Sequence, residues 1–344
     1  MNEQKEIKCI VWDLDNTLWD GILLEGDELT LKPEIGHVIE KLDQRGILHS
    51  IASKGVYEDA IFKLKEFHLD KFFLYPEISW NAKSQSITKI QNNLNIGIDT
   101  LMFIDDQPFE RDEVKIRHPE VACIEATEYL NLLSHPRLNP KFVTKDSGKR
   151  RLMYLENQRR KTAENDFKGP RKDFLASLDI HFLISEAKDN DLKRAEELTV
   201  RTNQLNTTGK TYSYDELEIY LRSTNHKLII CEMHDKYGSY GKIGLALVEN
   251  SRNCLHVKLL LMSCRVMSYG VGTILLLHIM KQAQKCRKKV RANFKHTGRN
   301  RVMYVTFKFA GFKEIMEDEF GVKILENDLS SIQEFPPYVN VKLE

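Results

Sequence analysis

Residues 7–17 read IKCIVWDLDNT. The apolar run Cys9, Ile10, Val11 and Trp12 stops abruptly at Asp13, and Asp15 follows two residues later. A short continuous apolar run without alternation is the pattern of a strand covered on both faces, as in a parallel sheet. A carboxylate at the end of such a strand falls in the crevice where open α/β sheets take ligands. Working outward, residues 47–52 and 101–104 repeat the buried-strand pattern, while 33–44, 57–67 and 84–94 carry helical spacing. Strands alternating with helices predict βαβ units and a doubly wound sheet.

The chain has 344 residues, which suggests two domains. Its 51 lysines and arginines balance 50 aspartates and glutamates, a net charge of +1 that argues against wholesale nucleic-acid binding. Six cysteines are scattered without a C-x-x-C pair, which fits neither a zinc site nor a disulfide framework and predicts a reducing, cytoplasmic setting. No signal-peptide core precedes the first strand, and the longest apolar stretches are too short to cross a bilayer. A charged region follows from about residue 129, broken by Gly169 and Pro170. A second pattern begins near Ile180, with strands at 227–232, 243–248 and 255–262 and a helix at 270–286. The predicted organisation is a domain at 1–135, a connecting helix and linker at 136–178, and an α+β domain with an antiparallel sheet at 179–344.

Four pieces of the first domain converge on phosphate chemistry. Of Asp13 and Asp15, one can attack phosphorus while the other delivers a proton to the leaving oxygen. Ser53 ends the strand in ILHSIAS (47–53) ahead of a helix, where a hydroxyl and backbone N–H groups make a phosphate site. Lys83 opens the helix in ISWNAKSQSI (78–87) and can neutralise phosphate charge. In LMFIDDQPFE (101–110), Asp105 and Asp106 sit together at a buried strand end, an arrangement that is costly without a cation. With Asp13 they can hold Mg²⁺ through oxygen ligands. Single helix-and-strand units fill the gaps between these elements, so no separate cap domain is expected.

In order and spacing the four pieces resemble the motifs of the haloacid dehalogenase superfamily. The resemblance implies a capless, Rossmann-like α/β domain with Asp13 as nucleophile and Asp15 as general acid/base. It implies Thr17, Ser53 and Lys83 as phosphate-binding residues, and Asp13, Asp15, Asp105 and Asp106 around Mg²⁺. Four strings, VWDLDNTLWDG (11–21), FIDDQPFERDEV (103–114), RTNQLNTTGKTYS (201–213) and LLMSCRV (260–266), together resemble the FkbH-like glyceryltransferase/phosphatase family. That resemblance spans about Ile7 to Phe312. It implies an enzyme that takes 1,3-bisphosphoglycerate, removes phosphate and loads a glyceryl unit onto an acyl carrier protein for polyketide-type biosynthesis. The alternative is a capless Mg²⁺-dependent phosphatase of a small phosphoester or phosphoprotein with a C-terminal binding domain.

In the second domain, a strand, the turn Ser268-Tyr269-Gly270-Val271-Gly272 and a long helix resemble the N-acetyltransferase (GNAT) fold. The position of that fold's usual tyrosine acid is Phe307, which cannot protonate a leaving thiolate. Cys264 lies at the strand end beside Arg265 and ahead of the glycine turn, a setting that favours thiolate and an acyl-carrying role; the alternative is a small buried apolar cysteine. Asn203, Gln204, Asn206, Arg265 and Gly270 are the expected contacts to the acyl carrier or substrate. The basic run at 281–301 is either a solvated helix face and strand or a dock for an acidic carrier and its phosphopantetheine phosphate.

Overall fold

The computed structural model describes residues 5–344, with all side chains in that range except those of Lys145, Cys264 and Ser268. It falls into two compact units, Met1–Gln158 and Arg159–Glu344.

The first unit is built on strands β1 (Cys9–Trp12), the short pair β2 (Trp19–Asp20) and β3 (Thr30–Leu31), β4 (Leu48–Ser53), β5 (Glu77–Ile78), β6 (Leu101–Asp105) and β7 (Ala122–Glu125). Helices α1 (Ile35–Gln44), α2 (Tyr57–Glu66), α3 (Lys83–Leu94) and α4 (Pro108–Arg117) connect them. The five main strands form a parallel sheet in the order β5-β4-β1-β6-β7. The doubly wound expectation holds, and β1 shows why its sequence does not alternate. Ile10 and Trp12 pack with Val38, Leu42 and Leu64 on one face, while Cys9 and Val11 pack with Ile87, Ile90 and Val114 on the other. Both faces are covered, so every position is apolar.

The stretch 136–178, read above as a connecting helix and linker, contains α5 (Lys145–Gly148), α6 (Arg150–Asp166) and α7 (Arg171–Ser177). Within the first unit Arg151 pairs with Asp43 at 2.9 Å, and the Tyr154 hydroxyl donates to the Leu94 carbonyl at 3.0 Å. Within the second, Phe174 and Leu175 join the core.

The second unit comprises β8 (Ile180–Glu186), α8 (Leu192–Arg201), α9 (Tyr214–Arg222), β9 (His226–Asp235), β10 (Gly238–Asn250), β11 (Cys254–Met262), α10 (Ile274–Lys285), β12 (Lys289–Lys295), α11 (Arg301–Phe309), β13 (Lys313–Glu317), β14 (Val322–Asn327) and β15 (Val339–Leu343). The sheet order is β13-β14-β12-β11-β10-β9-β8-β15. An antiparallel sheet was expected; the sheet is mixed. Helix α10 carries the chain from β11 back across the sheet, so β12 must enter parallel to β11. Strand β15 adds a second parallel pair against β8. Two apolar layers cover the sheet, one under α8 and α9 and a larger one under α10 and α11.

Candidate active site

Strand register assembles the site in the first unit. Trp12 stands opposite Ile51 of β4 and Ile104 of β6, so Asp13 emerges from the sheet beside Asp105. The Asp13 backbone N–H donates to the Ile104 carbonyl at 2.9 Å, which fixes that neighbourhood. Lys83 arrives from the first turn of α3, and its Nζ lies 2.8 Å from Asp13 Oδ1 and 2.5 Å from Asp105 Oδ2. All three side chains are buried. Carboxylate oxygens of Asp13, Asp105 and Asp106 lie within 4.8 Å of one another. An all-oxygen, anionic donor set of this kind suits a hard divalent cation.

The electrostatics point the same way. Burial, and then the charge of Asp13, push Asp105 up to about 6, against the opposing pull of Lys83. Asp106 is raised by the same two causes. Burial disfavours the charge on Lys83, but Asp13 and Asp105 outweigh it and hold the ammonium above its ordinary range. One lysine thus faces a surplus of negative charge at a buried strand end, and a cation would relieve it.

Several residues outside the expected set hold this cluster in place. Asp105 Oδ1 accepts the Gln107 backbone N–H at 2.8 Å, and Arg111 donates to the Asp105 carbonyl at 2.7 Å. Glu113 of α4 accepts the Ser84 backbone N–H at 3.1 Å and the Ser84 hydroxyl at 2.5 Å, capping the start of α3 where Lys83 sits. Nothing in the sequence marks Glu113 for this role, because its partner is on another helix.

Asp15 departs from the expected ligand set, since its carboxylate is not among the three that converge. Its Oδ1 instead accepts from Trp19 Nε1 at 2.8 Å and from the Leu23 backbone N–H at 3.2 Å. Burial raises its pKa in spite of both hydrogen bonds, which favours a protonated acid. Ser53 is buried at the end of β4, one strand from Asp13. Thr17 is fully buried and its hydroxyl has no hydrogen-bond partner among the described residues, a cost of about 1–3 kcal/mol that an incoming oxygen ligand would relieve.

The site lies at the C-terminal edge of the sheet of the first unit. No inserted domain separates β1 from β4 or β4 from β5. Exposed apolar side chains follow the ends of several strands: Leu24 after β2, Val56 and Tyr57 after β4, Trp80 after β5 and Phe109 after β6.

In the second unit the expected contact residues divide. Asn203 and Gln204 are exposed. Asn206 is buried and committed to the backbone, its Oδ1 accepting from the Thr208 and Gly209 N–H groups at 3.1 and 2.9 Å. It shapes a turn, and its Nδ2 donates to the Lys210 carbonyl at 3.4 Å. Arg265 Nε donates to the Ser263 hydroxyl at 3.3 Å. Gly270 is left-handed (φ 68°) and lies against Tyr338, whose hydroxyl would be 2.5 Å from a Cβ there. Cys264 opens the 3₁₀ turn Cys264–Tyr269 after β11, and its side chain lies outside the described residues. Phe307 is fully buried against Phe312, so this position is part of the core. Sequence reasoning missed a buried charged group on α8, where Arg194 holds the fully buried Glu197 at 2.8 Å.

No family model matches the chain. The chain is similar to magnesium-dependent phosphatase 1 of Homo sapiens, 28% identical over an alignment of 144 residues that covers 36% of this chain and 81% of that protein. Among solved structures, the N-terminal part of the protein BF1531 from Bacteroides fragilis, containing a phosphatase domain complexed with Mg, is 29% identical over 44% of this chain, with a TM-score of 0.28. The match spans 39% of that structure's chain. The ribosomal-protein-S18-alanine N-acetyltransferase from Escherichia coli is 13% identical over 44% of this chain and 97% of its own, with a TM-score of 0.35.

Proposed function

We propose that the first unit is a Mg²⁺-dependent phosphoester hydrolase that works through a phosphorylated Asp13. The observation that carries this reading is the cluster of buried Asp13 and Asp105 with half-buried Asp106, two of its members bridged by Lys83. Similarity to a magnesium-dependent phosphatase supports the choice of metal. Asp13, Asp105 and Asp106 would hold Mg²⁺, which screens the phosphate's charge. An Asp13 oxygen bonds to phosphorus as the bond to the leaving oxygen breaks, and Asp15 gives that oxygen its proton. The Asp15 oxygen that receives no hydrogen bond, Oδ2, is the one free to carry it. Water then attacks the aspartyl phosphate, returns a proton to Asp15 and frees phosphate. Lys83 and the Thr17 and Ser53 hydroxyls orient the phosphoryl oxygens.

We further propose that the physiological reaction is the one implied by the sequence resemblance. The Cys264 thiolate attacks the acyl carbon of 1,3-bisphosphoglycerate, and inorganic phosphate leaves as the acyl C–O bond breaks. Water at the first unit's site removes the remaining C3 phosphate. The glyceryl group passes from Cys264 to the phosphopantetheine thiol of an acyl carrier protein, which frees the Cys264 thiol. The five described cysteines are free, in keeping with a cytoplasmic enzyme.

The experiment is intact-mass analysis after mixing with 1,3-bisphosphoglycerate, alongside phosphate release from a simple phosphoester. Asp13→Asn should abolish release, and turnover at the wild-type rate would refute the nucleophile. Cys264→Ala should lose the glyceryl adduct and carrier loading while simple hydrolysis persists. Phosphate release with no adduct in the wild-type protein would favour a plain phosphatase with a C-terminal binding domain.

A further inference from the structure

The second unit contains a cavity of about 740 Å³, to which the basic run 281–301 contributes Asn293, Lys295, His296 and Thr297. It originates in an irregularity of the sheet. Between β10 and β11, Leu247 stands opposite Leu259 but Val248 stands opposite Val257, so Lys258 is an extra residue in β11. A bulge bends its strand and re-aims the extra side chain. Pairing of β11 with β12 runs from Cys254 only as far as Val257, so the two strands part where the bulge begins.

The chain's own segment 205–207 enters the opening. Thr207 N–H donates to the Leu260 carbonyl at 3.0 Å, Met262 N–H to the Leu205 carbonyl at 2.9 Å, and Lys295 N–H to the Thr207 carbonyl at 3.0 Å. Asn300 Nδ2 locks the arrangement by donating to the carbonyls of Asn206 and Lys295, both at 2.9 Å. Residues 208–210 then turn away and form one wall of the cavity. Gly209 makes that turn at φ 67° and lies so close to Thr297 that a Cβ would come within 2.5 Å of its methyl group. Tyr220 and His226, with ring centroids 4.9 Å apart, line the cavity from α9 and the start of β9.

The lining is cationic and aromatic. Lys210, Lys258 and Lys295 contribute to it together with His226 and His296. Lys258 is paired with Glu249 at 2.7 Å and Lys210 loosely with Glu216 at 3.9 Å. The ammonium of Lys295 has no partner among the described residues. A cavity in the range of roughly 300–1,000 Å³ accepts an organic molecule, far more than a bare anion needs. We propose that this cavity binds a phosphorylated small molecule with a planar ring, of the nucleoside diphosphate class. The lysines take the phosphate charge, and Tyr220 with His226 offers a ring face.

Calorimetric titration of the full chain, in chelator and low salt, tests this with three probes: ADP, pyrophosphate and adenosine. ADP should bind best, and both pyrophosphate and adenosine at least about tenfold more weakly, since each lacks one half of the recognition. Lys295→Glu places an acid on an exposed strand end, so the fold should survive, and ADP affinity should fall about tenfold or more. Tyr220→Ala should bring ADP down to the level of pyrophosphate. Lys83→Met, at the other phosphate site, should leave ADP affinity unchanged, and phosphoester hydrolysis should be unaffected by Lys295→Glu. The proposal is overturned by absence of ADP binding, by pyrophosphate binding as tightly as ADP, or by wild-type ADP affinity in Lys295→Glu. Tight binding of single-stranded RNA without ADP binding would equally overturn it.

Discussion

Withdrawing Mg²⁺ at different pH values probes the carboxylate cluster most directly. Asp105 is held at about 6 by burial and by Asp13, against an ordinary 3.8. The metal takes the ionised form, so binding must displace any proton that Asp105 carries. At pH 7.5 the group is almost fully ionised. At pH 5 it is ionised about one-tenth of the time, so the apparent Mg²⁺ affinity should be about tenfold weaker, or ~1.4 kcal/mol. An aspartate at its ordinary value would be almost fully ionised at both, and the affinity would change by less than about twofold. The assay is urea unfolding at fixed Mg²⁺ and in chelator, followed by tryptophan emission. All three tryptophans, Trp12, Trp19 and Trp80, belong to the first unit, so the signal reports that unit alone.

The quantity to read is the increment in stability that Mg²⁺ adds, not the absolute stability. Burial holds His49 near 3, so between that value and its ordinary 6.5 the unfolded chain binds a proton the folded one does not. Its contribution therefore rises with pH across that window. Asp105 runs the opposite way in the metal-free protein: its folded value is raised, so its contribution falls as pH rises from about 4 to 6. His49 acts equally with and without metal and cancels in the difference, which leaves the Mg²⁺ increment growing with pH. An increment that stayed flat from pH 5 to 7.5, or shrank, would refute the raised Asp105 and the cluster as the metal site.

Two further outcomes follow from particular contacts. Lys83→Met leaves Asp13 and Asp105 buried without their ammonium, which should cost about 3–5 kcal/mol in chelator by urea unfolding, with part of the loss restored by Mg²⁺. Asn300→Ala strips the donor from the buried carbonyls of Asn206 and Lys295, and should destabilise the second unit by about 1–3 kcal/mol by far-UV circular dichroism.

The strand ends of the first unit were legible in the sequence because each piece was local. An apolar run that stops at a carboxylate or a serine places its own last residue, and parallel pairing aligns the ends of β1, β4 and β6 without further instruction. The supporting contacts were not legible. Glu113 meets Ser84 across a separation of 29 residues, and no spacing rule connects them. The resemblance implied Asp15 around the metal, whereas Trp19, four residues on, holds its carboxylate by a hydrogen bond. In the second unit the string RTNQLNTTGKTYS and the basic run 281–301 stood out, but nothing local says that 205–207 enter the gap between β11 and β12. That contact depends on a bulge at Lys258, in a stretch that reads as ordinary strand.

The absence of an inserted cap in the first unit shapes what its substrate must provide. A phosphoryl group is transferred most readily where water is scarce, and here no inserted domain closes over Asp13. The loops that carry the chemistry end in Leu24, Val56, Trp80 and Phe109, with Trp80 66% and Phe109 73% exposed. Large apolar groups left in water beside a polar crevice favour a substrate whose body covers them as its phosphate enters. On this argument the substrate's own bulk supplies the exclusion of water. A small phosphoester would leave the rim uncovered, and should turn over more slowly than a bulky one with the same leaving-group chemistry.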